Sequence, residues 1–328
     1  MTIRKETIRL LASIPDVSVT EGALLSRHTR FGIGGPAGAF VQASSEGAFA
    51  DALRVSQASG SALSVIGDGT NLIVSDQGFD GIVLRLTAKS IEHQAATVRA
   101  EAGAELQALV DYSIDHGLAG LETMTGIPGS VGAAVYGNAG AYGHSIEERV
   151  SQVRFLDGAA VRSFGREECN FHYRESIFKE RKDWIILSVV LALTPAPAAE
   201  LRETAGKIFG IRLEKYPASM KCAGSVFKNL ILAELPDSLR QQIPERVIRE
   251  GKVPSAYFLE QVGAKGMRSG GIQVADYHAN LIYNSGDGTA SELCELIVDL
   301  KSRVRKQFRL ELEEEVQYVG FSPAPQPA

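Results

Sequence analysis

The sequence predicts an α+β protein in two parts, a larger one up to about residue 195 and a smaller α/β part beyond it. Three observations carry this. Between residues 38 and 193 short apolar runs of strand length recur, with two segments of helical spacing among them. Thr194–Ala199 reads TPAPAA and interrupts that pattern. After the interruption helical spacing dominates. It is plainest over Ser291–Phe308, where Leu293, Leu296, Ile297, Leu300 and Val304 recur at helical intervals.

The elements follow in chain order. The opening MTIRKETIRLLASIPD reads as a short amphipathic helix and lacks the long apolar core and cleavage site of a secretory signal. Ala39–Ala43 is a short strand. Ser45–Ser59 is a helix that turns Phe49, Leu53 and Val55 to one side, and Ala62–Ile66 is a buried strand ending in GDGTN. Ile82–Leu86 and Val98–Ala102 are strands, and Leu106–His116 is a helix. Val150–Leu156, Val161–Phe164 and Trp184–Leu193 are strands. Glu200–Lys215 and Ser255–Val262 are helices, and Glu311–Val319 returns as a strand. The tail SPAPQPA has the composition of a disordered segment. The expected division is a helical extension over 1–27, a first domain of two lobes over 28–195, a second domain over 200–321 and a tail over 322–328.

Composition narrows the function classes. Of 328 residues, 45% are hydrophobic and 22% charged, as in an ordinary globular protein. The net charge of -5 gives no pull toward nucleic acid or an anionic membrane. There is no run of apolar residues long enough to span a bilayer. Cys169, Cys222 and Cys294 are widely spaced and the six histidines do not cluster, which argues against a disulfide framework and against a metal site. A reducing, cytoplasmic setting is expected.

The densest signal is GIPGSVGAAVYGNAGAYG, from Gly126 to Gly143, with six glycines in eighteen residues and no charged side chain. Glycine is costly inside helices and strands, so this density needs a cause. Ile127, Val131, Val135 and Asn138 separate it from a low-complexity linker. A segment that buries itself and exposes bare N–H groups suits a phosphate or pyrophosphate. Gly67–Asn71 has a similar character, a polar glycine turn between Ala62–Ile66 and the apolar Leu72, Ile73 and Val74, with Thr70 and Asn71 as added donors. Alone it reads as a tight turn; beside the longer segment it reads as a second phosphate loop. FGIGGP at 31–36 lacks the following helix of a dinucleotide fingerprint and reads as a turn.

Three further motifs offer polar chemistry. FHYRESIF at 171–178 sets Arg174 among aromatic residues, where its fork suits a carboxylate. AGSVFKN at 223–229 places Ser225 after small residues and adds Lys228 and Asn229 as donors. LELEEEV at 310–316 carries Glu311, Glu313, Glu314 and Glu315. Strand alternation puts Glu313 and Glu315 on one face and leaves the choice between them open.

These segments, in this order, resemble the UDP-N-acetylenolpyruvoylglucosamine reductases (UDP-N-acetylmuramate dehydrogenases), flavoenzymes of bacterial cell-wall synthesis. The matching pieces are HTRFGIGGP at 28–36, GDGTNLIVSD at 67–76, GLETMTGIPGSVGAAVYGNAGAYG at 120–143 and YRESIF at 173–178. Later come AGSVFKN at 223–229, LEQVGAKG at 259–266, HANLIYN at 278–284 and LELEEEVQYVG at 310–320. The resemblance implies an FAD-binding domain of the vanillyl-alcohol-oxidase type, then a substrate-binding domain. It implies non-covalent FAD held by Gly67, Asp68, Gly69, Thr70, Asn71 and Leu72, and by Gly126, Ile127, Gly129, Ser130, Gly132, Ala133, Gly140 and Ala141. By motif, the family's catalytic trio falls on Arg174, Ser225 and Glu315, the glutamate directly before Val316. Lys215, Lys228, Asn229 and Lys265 match substrate-binding positions. NADPH is implied as co-substrate and UDP-N-acetylglucosamine enolpyruvate as substrate, in a monomer with no nucleic-acid or membrane partner. Ala133 and Tyr136 stand where the family commonly has Gly and Met, and Leu230 follows FKN in place of Pro. The short interval from Arg174 to Ser225 resembles the family's second type, which lacks the tyrosine loop that closes over the substrate in the first.

Overall fold

The computed structural model describes residues 3–217 and 219–321. The chain folds into two compact units, each assembled from separate stretches of sequence. One comprises the chain up to Ala23, Ala37–Asp68 and the run from Asp80 through Pro217. The other comprises Leu24–Pro36, Gly69–Phe79 and the described chain from Ser219 onward. The helix Ala198–Lys215 therefore belongs with the first unit, and two early segments belong with the second. The 1–27 stretch is not helical throughout. After the helix Lys5–Ala12, the strand Val17–Glu21 pairs antiparallel with Ala37–Ala43. The expected tail, 322–328, lies outside the described residues.

In the first unit, Ala37–Ala43 continues into a four-stranded sheet with Phe79–Leu86 and Ala62–Val65, the last two parallel. A five-stranded antiparallel sheet has the order Ala160–Gly165, Val150–Asp157, Trp184–Ala192, Thr97–Glu101, Ile91–Gln94. Its central strand, WIILSVVLA, is buried along most of its length, as its continuous apolar run requires. The helix Glu46–Ala58 starts where Ser45 accepts the amide of Ala48. Its first-turn carboxylate, Glu46, is then held by Arg99 and Arg154 from the five-stranded sheet, at 3.3 and 2.8 Å. The apolar faces of Glu46–Ala58 and Leu106–Asp115 close one core with both sheets, centred on Phe49, Leu53, Leu109, Val153 and Phe155.

In the second unit, Arg268–Ser269, Ile272–Ala275 and His278–Asn284 form an antiparallel sheet. The helix Ala290–Phe308 buries Leu293, Leu296, Ile297, Leu300 and Val304, the face that the spacing predicts. Its N-terminus is capped twice. Thr289 and Glu292 form a capping box, and Asp76 accepts the amides of Ala290 and Ser291 at 2.7 and 2.9 Å. The expected strand Glu311–Val319 is regular only over Gln317–Val319, parallel to Leu72–Val74. Before it, Asn71 interrupts the ladder: its amide donates to the carbonyl of Glu315 (2.8 Å) and its own carbonyl accepts the Gln317 amide (3.0 Å).

All three cysteines are buried and free, and burial pushes the Cys169 and Cys294 thiols up to about 12. Asp76 satisfies two otherwise orphaned helix donors from 214 residues away in sequence. Replacing Asp76 with Ala is expected to lower stability by about 1–2 kcal/mol, read as a lower denaturation midpoint at unchanged m-value.

Candidate active site

Gly67, at the head of the shorter glycine turn, meets the longer glycine segment within the first unit. A Cβ built on Gly67 would stand 2.7 Å from the Ser130 hydroxyl and 3.3 Å from the Ala133 methyl, so only a bare backbone fits there. The 126–143 segment is not a continuous loop. Ser130 caps a short helix, Val131–Tyr136, and Gly140–Ala141 pairs with His144–Ser145. Several of its amides are accordingly used: Gly126 bonds Gln107, Ile127 bonds Met124, and Val131 and Gly132 bond Ala104 and Ala102. The N–H groups of Gly67, Asp68, Gly129 and Ser130 make no hydrogen bond among the described residues. Two pairs of open donors, from loops in contact, form an amide cradle for an anion. The Asp68 carboxylate is turned to Arg85 in an ion pair. Burial raises its pKa against the opposing pull of that guanidinium. Such open backbone donors have the chemistry to hold a diphosphate.

Arg174, like Asn138 and Tyr142 of the glycine segment, holds a left-handed backbone. With His172 and Glu175 exchanging amide-to-carbonyl bonds of 3.1 Å each, Tyr173 and Arg174 form the tip of a tight turn. Arg174 has φ +60, a left-handed conformation that costs a side-chain-bearing residue about 1–2 kcal/mol. The neighbours over-determine it. Asn138, 2% exposed, donates to the His172 carbonyl at 2.8 Å, and Ser176 donates to the Tyr136 carbonyl at 2.7 Å. The guanidinium donates to the carbonyls of Asn138 (3.4 Å) and Gly140 (2.8 Å), so it lies against the far end of the glycine segment. Lys215 lies at the end of helix Ala198–Lys215, over the Tyr216 ring at 5.1 Å.

The second unit brings Ser225 and Glu315 together. Residues 225–228 run between two partners. On one side the Val226 amide bonds the Asn280 carbonyl, and the Asn280 side chain grips both backbone groups of Phe227, accepting its amide at 2.9 Å and donating to its carbonyl at 2.8 Å. On the other side, the Glu315 amide donates to the Val226 carbonyl at 2.8 Å and the Lys228 amide to the Glu313 carbonyl at 2.9 Å. Ser225 is half-buried, and its hydroxyl makes no hydrogen bond among the described residues. The acidic run sorts itself by partner. Glu311 pairs with Arg305, Glu313 with Lys228 at 2.5 Å, and Glu314 with Lys301 at 2.6 Å. Glu311, Glu313 and Glu314 are thus each held by a cation within the fold, and Asn71 and Val226 hold Glu315 by its backbone.

The remaining expected positions also carry internal partners. Asn229 accepts the Ser255 amide at 3.4 Å, and Lys265 pairs with Glu260 at 3.0 Å. Gly69 has φ +67, and a Cβ there would collide with the His28 carbonyl. Four supporting residues were not singled out from the sequence: Asn138, Ser176, Lys179 and Asn280. Asn138, Ser176 and Asn280 lie inside quoted motifs and Lys179 directly follows one; Asn138 and Asn280 are small amides set in apolar runs, a pattern that marks a buried polar bracket.

A profile of the FAD binding domain matches residues 37–160, and one of the UDP-N-acetylenolpyruvoylglucosamine reductase C-terminal domain matches residues 215–319. A UDP-N-acetylenolpyruvoylglucosamine reductase of Solibacter usitatus is 59% identical over 310 residues, covering 94% of this chain and 99% of the relative. The chain belongs to the UDP-N-acetylenolpyruvoylglucosamine reductase family. A relative of the same name from Rubrobacter xylanophilus is 37% identical over 90% of this chain and 93% of its own length. The crystal structure of this reductase from Thermus caldophilus superposes with a TM-score of 0.72 at 27% identity, over 92% of this chain and 98% of that one. The α+β architecture is thus an FAD-binding domain followed by the reductase family's C-terminal domain.

The strain at Arg174 gives a direct test. Arg174→Gly and Arg174→Ala remove the same guanidinium, but only glycine accepts φ +60 freely. The glycine variant is expected to be more stable than the alanine variant by about 1 kcal/mol, measured by chemical denaturation of the two side by side.

Proposed function

We propose that this protein is an NADPH-dependent flavoenzyme that reduces the enolpyruvyl ether of UDP-N-acetylglucosamine to UDP-N-acetylmuramate in peptidoglycan precursor synthesis. The observation that carries the reading is the backbone pairing of the Ser225 and Glu315 segments inside a chain of this family. FAD would be held without a covalent bond, with the amides of Gly67, Asp68, Gly129 and Ser130 available to its diphosphate. No histidine or cysteine lies within 126–143 to attach it. When bound, FAD accepts a hydride from NADPH and supplies it to the vinyl carbon of the substrate.

The residues of this chain handle the charge and the proton that accompany that hydride. Negative charge develops next to the substrate carboxylate. Arg174 offers a fixed cation to that carboxylate, and its backbone is set before substrate arrives. Glu315 acts with Arg174 at the enolate-like oxygen. Ser225 delivers the proton to the adjacent carbon. A serine hydroxyl is a poor acid, so it acts only on a strongly basic carbanion or through a proton path. Its hydroxyl has no competing acceptor among the described residues, which suits a donor. Lys215, Lys228, Asn229 and Lys265 bind the nucleotide and phosphates; Lys228 and Lys265 must exchange Glu313 and Glu260 for phosphate oxygens. The working protein is a cytoplasmic monomer with small-molecule partners only. Among the described residues, no helix is long and apolar enough to cross a membrane.

Acid precipitation of the purified protein is expected to release all of its yellow colour to the supernatant; colour retained in the pellet would refute non-covalent binding. Anaerobic NADPH should bleach the flavin, and the enolpyruvyl ether should restore its absorbance. Ser225→Ala should leave the bleaching rate nearly intact and slow the recovery by about 10²–10⁴-fold. An equal slowing of both steps would remove Ser225 from the proton-transfer role.

A further inference from the structure

Arg174 holds a backbone conformation that its side chain disfavours, and the lysine five positions later touches that backbone directly. The Lys179 ammonium donates to the Arg174 carbonyl at 3.0 Å and to Glu175 Oε1 at 2.8 Å. Its side chain is 17% exposed, so these bonds are partly shielded from water. Lys179 is fixed in turn: it sits in the short helix Ile177–Glu180, and its amide bonds the Ser176 carbonyl at 3.0 Å. Asn138 holds one flank of the turn by donating to the His172 carbonyl, and Ser176 ties the other flank to the Tyr136 carbonyl. Lys179 grips the carbonyl of the strained residue itself, with a charged donor, which makes a stronger bond than a neutral one.

We propose that Lys179 is a positioning residue for Arg174. It locks the Arg174 peptide in its left-handed setting and thereby aims the guanidinium along the Asn138 and Gly140 carbonyls. Without it, Arg174 relaxes toward negative φ, and its fork leaves the place where substrate charge develops. A displacement of about 1 Å in a group that acts on the transition state can cost about 10²-fold in rate. This rests on the function proposed above, in which Arg174 acts on the substrate and not on NADPH.

The test uses the flavin-loaded enzyme and separates the two half-reactions by stopped flow. Lys179→Met keeps the apolar stem and removes the charge. It is expected to leave NADPH bleaching within about twofold and to slow recovery by the enolpyruvyl ether about 10–10²-fold. KM for the ether should move less than turnover, and Lys179→Arg should restore most of the rate. In an Arg174→Ala background, Lys179→Met should cost nothing further, because both changes then act on one group. If Lys179→Met does not yield folded holoenzyme, Lys179→Gln, which keeps a neutral donor, is measured the same way.

A readout independent of turnover accompanies this. The Tm gap between Arg174→Gly and Arg174→Ala should narrow by at least half when Lys179 is Met, since an unbraced alanine can leave the left-handed region. Normal recovery in Lys179→Met, equal slowing of bleaching and recovery, or an additive loss in the Arg174→Ala background would each overturn the proposal. A wild-type enzyme that the ether fails to reoxidise would instead sink the functional reading. The Tm gap would still decide whether Lys179 braces Arg174.

Discussion

The second unit depends on one constraint: four residues, Ser225–Lys228, must be hydrogen-bonded on both sides although they form no regular ladder with either the strand His278–Asn284 or the irregular Glu313–Glu315 stretch. Asn280 meets one side by imitating a strand with its side chain, and the Glu313–Glu315 backbone meets the other. A buried amide that both accepts from and donates to the same residue fixes that residue's position and direction. Ser255, fully buried, also receives an Asn280 hydrogen at 2.7 Å, which leaves the bracket no freedom to swing. Ser225 therefore inherits its place from a network that contains no part of its own side chain. Its hydroxyl stays available because the backbone does the holding.

The first unit applies the same logic with strain added. The Arg174 turn stores unfavourable backbone energy, and the surrounding bonds are aimed at carbonyls more than at the guanidinium. Such an arrangement suits electrostatic stabilisation of a developing anion. A charge that is already in place does not have to reorganise when the anion forms, and the orientation cost is met on folding. Asn138 joins the two functional segments of this unit. It belongs to the glycine run, holds the Arg174 turn through its amide and receives the guanidinium on its carbonyl.

Much of this was legible in the sequence, for identifiable reasons. The helix Ala290–Phe308 was readable because its apolar spacing and its Thr289–Glu292 cap are local. Gly67 was readable as a close-approach position because glycine density has few other causes. The strand expected over Glu311–Val319 was too long, because the side chain of Asn71, some 240 residues away, takes the Glu315 carbonyl, and no local pattern records that. Strand alternation left Glu313 and Glu315 equivalent because it is blind to partners such as Lys228, which pairs with Glu313. The glycine segment was read as bare backbone throughout, yet Val131–Tyr136 is helical. Ser130 is an ordinary N-cap, and the apolar residues that bury the segment also let it form a turn of helix.

The division of the chain was the least legible feature, and its cause bears on function. Leu24–Pro36 and Gly69–Phe79 belong to the second unit although most of their sequence neighbours belong to the first. The phosphate loop is cut by this division, with Gly67 and Asp68 on one side and Asn71 on the other. One short motif thus supplies open amides to the cradle beside Ser130 and, four residues later, the amide side chain that pins Glu315. A motif with two structural duties tolerates little change at either end. Four of the five GDGTN positions are accordingly committed. Gly67 has no room for a side chain, Asp68 is paired to Arg85, Gly69 abuts the His28 carbonyl, and Asn71 closes the contact with Glu315. The same five residues that first read as a turn thus serve both units, with open amides in one and a side-chain clamp in the other.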